Sequence, residues 1–164
     1  MMTFWDTSAV LSLVFVEPRT QDAITARSLS DTQYAWRWMA VEAQAGLARR
    51  HARPSDWGNL ERILDAILYV DLSPDHMDKL GRANREWRLR ASDAGHLYCF
   101  QQISFVLPDI RLVSSDAELI AAAATMGLFL WTPPTGGASD RPQVRETPAR
   151  YGRKSPRPAR KKNT

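Results

Sequence analysis

The 164 residues carry a net charge of +4 and 44% hydrophobic side chains, enough length and apolar content for one domain with a real core. The single Cys99 excludes an internal disulfide, and three histidines form no Cys/His pattern spaced like a zinc site, which points to a reducing, cytoplasmic setting. No basic-then-apolar leader pattern is visible, and the apolar runs AVLSLVFV and LIAAAATMGLFLW fall short of the roughly 18 residues a membrane span needs, so a soluble, unexported protein with no membrane partner is expected.

Charge is divided unevenly along the chain. From Pro133 onward nine Lys and Arg face only Asp140 and Glu146, which puts +7 there and leaves −3 for everything before it. That stretch is rich in Pro, Gly, Ser and Arg and poor in large apolar side chains, so it cannot offset its own ordering entropy. Residues 1–132 are expected to fold as one domain and residues 133–164 to form a disordered basic tail.

In chain order, MTFWD reads as a short strand that passes through Thr7 and Ser8 into a helix where Val10, Leu13 and Val14 recur at helical spacing. Pro18 opens a second helix, PRTQDAITARSL, since Pro fits a first helical position. A longer helix is predicted over 36–50 and another from Ser55 to Leu64, followed by a strand in AILYVDL. Ser73 and Pro74 open a helix to Trp87, SDAGHLYCFQQIS is again helical, and IRLVSS is a strand. DAELIAAAATM then gives a helix and GLFLWT a final strand. Strands separated by such helices predict an α/β fold, a three-layer α/β/α arrangement with a parallel central sheet.

In such sheets the ligand crevice lies just past the carboxyl ends of strands. Asp6 ends the first strand and Asp116 follows a later one, where it also suits a helix N-cap. Glu42 has Trp38, Met39, Ala45 and Gly46 as its helical neighbours, which turns it toward the interior. A carboxylate there is costly unless compensated, either by an internal salt bridge with an arginine or by a functional cation. On this reading, removing its charge raises stability in metal-free buffer. Asp93 opens a helix, where a first-turn acid suits the dipole, and His96 one turn on reads as a packed or hydrogen-bonded side chain rather than a ligand. Four ionised acids brought to one edge repel each other unless a divalent cation sits among them. Hard oxygen donors suit Mg²⁺ or Mn²⁺, and such ions activate water and stabilise the leaving oxygen in phosphodiester hydrolysis.

The series FWDTSAVLSL, MAVEAQAGLARR, RLRASDAGHLYCF and LVSSDAELIAAAATMGLFLWTP resembles the PIN-domain nucleases, in particular the VapC-like toxins of bacterial toxin–antitoxin pairs, over roughly residues 3–132. The resemblance implies a PIN-like fold and a Mg²⁺- or Mn²⁺-dependent endoribonuclease. Asp6, Glu42, Asp93 and Asp116 would be its catalytic and metal-binding acids, with the Thr7 or Ser8 hydroxyl beside them. It further implies an RNA substrate, a cognate antitoxin protein and a homodimer. Glu118 stands where some relatives carry a further acid, although a first-turn charge accounts for it. The Trp-rich YAWRWMA and the basic tail depart from the family pattern.

Tyr34, Trp36 and Trp38 read as core or as the lining of a groove that receives an antitoxin segment. The arginines at 49, 50, 53, 82, 85, 88 and 90 read as a solvated face or as a flank that lets RNA approach, the latter favoured for Arg88 and Arg90 because they precede Asp93. Two rivals come from other classes. A phospho-accepting receiver would use Asp71 in LYVDLSP, but the only lysines, 79, 154, 161 and 162, do not fall at a later strand end. A PIN-like RNA-binding module without catalysis would keep the acids for stability alone.

Overall fold

The computed structural model describes residues 1–134, so the expected basic tail, apart from Pro133 and Pro134, lies outside the described residues. In chain order they form β1 (Met2–Trp5), α1 (Thr7–Val14), α2 (Thr20–Ser28), β2 (Thr32–Trp36), α3 (Trp38–Arg49), α4 (Pro54–Leu64), β3 (Ile67–Val70), α5 (Pro74–Trp87), α6 (Ala91–Ser104), β4 (Arg111–Val113) and α7 (Ala117–Thr125). The strands pair in the order β3-β2-β1-β4, every pair parallel. This is the expected three-layer α/β/α architecture. Among the described residues no helix is long and apolar enough to cross a membrane.

Strand alternation distributes the core between the two faces of the sheet. Trp5, Ala35, Ile67 and Val113 pack with Ala9 and Val10 of α1, Ala23 and Ala26 of α2, Met39, Ala43 and Leu47 of α3, and Leu60 and Ile63 of α4. Their strand neighbours Phe4, Tyr34, Trp36 and Leu112 face the other way, against Leu97 and Phe100 of α6 and Leu119 and Ala123 of α7. Helix α5 covers the outside of α6 through Leu80 against Ala94 and Tyr98. Trp5, Phe4 and Phe100 are fully buried, and each such side chain contributes about 1.5–3 kcal/mol of transfer free energy.

Two expected elements differ. The helix predicted from residue 36 begins at Trp38, and Thr32–Trp36 before it is a strand paired to both β1 and β3. Its period of two is hidden because small Ala35 alternates with large aromatics, apolar on both faces, as in strands covered by helices on both sides. GLFLWT reduces to one parallel bridge, Leu112 to Leu130. Leu112 donates to the Phe129 carbonyl at 2.9 Å and accepts from the Trp131 N–H at 2.9 Å, so this segment flanks β4 without extending the sheet.

Helix α6 approaches β2 very closely at Gly95. A Cβ built there would lie 2.2 Å from the Trp36 ring, a distance that no packed carbon tolerates. Gly95→Ala is therefore expected to lower stability in urea by about 1–3 kcal/mol through overpacking. Gly81, in α5, has nothing within 4 Å of the place a Cβ would take, and Gly81→Ala is expected to raise stability by up to about 1 kcal/mol through helix propensity. Equilibrium urea unfolding of the two variants checks the opposite signs.

Candidate functional site

The chain runs from β1 to β2 on one side of the sheet and returns to β4 on the other, so the direction of strand order reverses between β1 and β4. A crevice outside the carboxyl ends of those two strands follows from that reversal. The Asp6 N–H donates to the Val113 carbonyl at 3.1 Å, which places Asp6 at the last paired position of β1, beside the end of β4.

Asp6 is 3% exposed, and its Oδ2 accepts three hydrogen bonds: from the Ser8 hydroxyl at 2.6 Å, the Ser114 hydroxyl at 2.9 Å and the Ser8 N–H at 3.3 Å. The last makes Asp6 the N-cap of α1. The serines continue the network across the crevice floor. Ser8 Oγ accepts from the Ser115 N–H at 2.8 Å, and Ser114 Oγ accepts from the Asp116 N–H at 3.0 Å. One Asp6 oxygen thus ties the start of α1 to the end of β4. Every hydrogen bond to this carboxylate among the described residues falls on Oδ2, while Oδ1 lies 3.7 Å from Nε2 of His96.

Asp116 caps α7, its Oδ1 accepting from the Leu119 N–H at 2.9 Å. A serine would make that bond too, but a carboxylate also puts charge into the crevice. Asp93 feels it, because burial first, then the charges of Asp116 and Asp6, raise its pKa above the ordinary carboxylate range, against smaller opposing effects of His96 and Arg90. Asp93 Oδ2 is buried with no hydrogen-bond partner, which is a costly state for a carboxylate oxygen.

Glu42, on α3, has the partner that its inward face demands, and that partner is His96 rather than an arginine. Oε2 of Glu42 accepts from Nε2 of His96 at 2.7 Å and from the Thr7 hydroxyl at 2.6 Å. Burial alone would raise the Glu42 pKa, but those two donors, the His96 charge and the Ser92 side chain lower it on balance. For His96, burial acts to lower the pKa, and the hydrogen bond to Glu42 with the charges of Asp6, Glu42 and Asp93 outweighs it, so the pKa is raised.

All four sequence-predicted acids line one cleft of about 200 Å³, together with Thr7, Ser8 and Arg49. They do not close on a point, for among the described residues no three carboxylate, imidazole or thiol side chains stand together as a ready-made metal shell. The donor set is nonetheless all oxygen at the cleft surface, with one buried carboxylate oxygen unpartnered and a raised pKa that a cation would relieve. That fits a hard cation retaining several of its waters, as Mg²⁺ does. Ser114 and the Glu42–His96 pair were not singled out from sequence. His96 stands three residues after Asp93, the helical spacing that puts two side chains on one face.

Several of the remaining candidates are accounted for locally. Asp71 is held in a two-pronged surface pair by Arg37, at 2.9 and 2.8 Å. Arg50 pairs with Glu17 at 2.8 Å and Arg53 with Asp56 at 3.2 Å. Glu118 is exposed in the first turn of α7. Trp36 and Trp38 line a separate groove of about 440 Å³ with Met77 and Leu80.

No family model matches the sequence, and no curated protein matches it either. Among solved structures, Mycobacterium tuberculosis VapC20, a sarcin–ricin loop cleaving toxin, is similar with a TM-score of 0.63 at 15% identity, over 80% of this chain and 99% of its own. PAE2754 from Pyrobaculum aerophilum is similar with a TM-score of 0.51 at 21% identity, over 74% of this chain and 87% of its own. The chain has a VapC-like PIN fold.

The two inner acids carry opposite signs for stability. The folded Asp93 carboxyl has a raised pKa, so its contribution is present below its unfolded value near 3.8 and lost as pH rises through the folded value. Asp93→Asn is thus expected to raise the urea midpoint at pH 7 in metal-free buffer, the gain vanishing below about pH 4. The folded Glu42 has a lowered pKa, so its contribution is present above 4.5 and lost as pH falls. Glu42→Gln is expected to lower stability at pH 7 by about 1–2 kcal/mol through weakened charge-assisted bonds. This reverses the gain that an uncompensated charge would have given, because His96 and Thr7 supply the donors.

Proposed function

We propose that the chain is a Mg²⁺- or Mn²⁺-dependent endoribonuclease, the toxin of a type II toxin–antitoxin pair, with Asp6, Glu42, Asp93 and Asp116 as its metal-binding and catalytic acids. The observation that carries this reading is the convergence of four carboxylates from four different elements on one cleft at the switch point, one of them with a buried, unpartnered oxygen. Structural carboxylates are ordinarily paired with cations, whereas among the described residues Arg49 is the only arginine or lysine lining this cleft. A divalent ion bound there would supply an activated water and charge stabilisation for phosphodiester hydrolysis.

The chain's own groups divide the remaining work. Asp6 is held at Oδ2 by Ser8 and Ser114 and keeps Oδ1 for the cleft. Asp93 and Asp116 face each other's charge across it. Arg49 offers a guanidinium to an approaching phosphate. RNA as substrate is supported by the likeness to VapC20, a toxin that cleaves the sarcin–ricin loop. A cognate antitoxin, a homodimer and a cytoplasmic setting belong to the same reading, and the Trp36–Trp38 groove is a surface of the kind an antitoxin segment fills. Within it, residues 1–132 form the nuclease domain, and 133–164 are a basic tail.

Purified chain incubated with RNA is expected to cleave only with Mg²⁺ or Mn²⁺ present, and Asp93→Asn or Asp116→Asn to reduce cleavage by about 100-fold or more while the thermal transition stays cooperative. Undiminished cleavage in either variant would sink the assignment. RNA binding without cleavage or Mn²⁺ uptake would leave an RNA-binding module on the same fold.

A further inference from the structure

His96 is the one fully buried imidazole among the described residues, and it is placed with unusual economy. Its Nε2 faces two oxygens, Glu42 Oε2 at 2.7 Å and Thr7 Oγ1 at 3.1 Å. Its Nδ1 is buried with no partner. A buried N–H without an acceptor is more costly than a buried bare nitrogen, so the neutral ring carries its proton on Nε2, and the protonated ring carries one there as well. The Thr7 hydroxyl donates to the same Glu42 oxygen at 2.6 Å, leaving its lone pairs to accept from Nε2. Three groups from three elements therefore close a triangle on Oε2, and the close hydrogen bonds to Glu42 all fall on that oxygen, with the Ser92 side chain a weaker further donor to the carboxylate.

The ring itself is fixed from behind. Trp36 meets it edge-on, with centroids 5.5 Å apart at 83°, and reaches that place only because Gly95, the residue before His96, has no side chain. Helix α6 thus carries Asp93 into the cleft and, one turn later, the donor that orients the acid opposite. Ligating carboxylates are commonly held in this way by a hydrogen-bond donor at the oxygen turned away from the metal.

We infer that His96 is a positioning residue for Glu42, its Nε2–H pinning Oε2 in the cleft wall so that Glu42 presents Oε1 alone to a bound cation. The inference rests on the metal reading proposed above, and one arm of its test is independent of metal. His96→Leu removes the donor at similar volume; His96→Gln keeps an N–H donor of comparable reach. Calorimetric titration of the full chain with MnCl₂ is expected to show binding about 10–100-fold weaker in His96→Leu, the range typical of lost outer-sphere partners, and largely restored in His96→Gln. Wild-type affinity in both variants overturns the inference. Equal loss in both, with a broadened thermal transition, overturns it too, since that marks a packing role only. If the wild-type chain takes up no Mn²⁺, the metal reading fails, and the imidazole ¹⁵N spectrum of metal-free protein decides the hydrogen-bond role separately. A single exchange-protected Nε2–H signal that moves in Glu42→Gln upholds it, and a signal indifferent to Glu42 overturns it. That spectrum needs no histidine variant, so it also decides the matter if both fail to fold.

Discussion

The hydrogen bonds converging on Oδ2 of Asp6 are the constraint from which the cleft is built. They join the first strand, the helix after it and the end of a strand more than a hundred residues away. Ordering so distant a contact is entropically expensive, and a buried carboxylate is tolerable only because three donors meet it. Once Asp6 is fixed, Ser114 sets the backbone N–H of Asp116 and Ser8 sets that of Ser115, so the fourth acid inherits its position from the first.

The four carboxylates stand in unequal circumstances. Asp6 and Glu42 are each satisfied at one oxygen and spare at the other, and Asp116 uses one oxygen as a helix cap. Asp93 alone is left short, half-buried, repelled and without a donor at its buried Oδ2. Strain concentrated on one group of a cluster is characteristic of sites built for a ligand rather than for stability. The rest of the domain is packed conventionally and sustains that deficit.

Much of this was legible in the sequence because the relevant signals are local. Asp6 and Asp116 each follow a short apolar run and precede a helical repeat, so strand end and N-cap coincide, and helix α5 declares itself through Ser73 and Pro74. What was hidden depended on partners far along the chain. Glu42 visibly faces inward, yet nothing near it reveals that its counter-group is His96, 54 residues away, and an arginine was the reasonable expectation. Strand β2 was concealed by its own burial, since Tyr34 and Trp36 are as apolar as the Ala35 between them. Gly95 carries no outward mark of the indole pressed against it. The final GLFLWT has strand composition throughout, but β4 offers it a single bridge.

That bridge has a consequence for how the molecule behaves among its own copies. β4 spans only three residues and stands at one border of the sheet, where unsatisfied backbone groups invite pairing with a neighbouring chain. The Phe129 carbonyl and the Trp131 N–H occupy both backbone groups of Leu112, and Trp131 folds back into the core. The passing segment acts as a selvedge, finishing the border so that it cannot unravel into intermolecular sheet. Among the described residues the opposite border, β3, has no such trim and presents Leu68 half exposed. Among the described residues the two borders of the sheet are accordingly unequal, guarded beside β4 and open along β3.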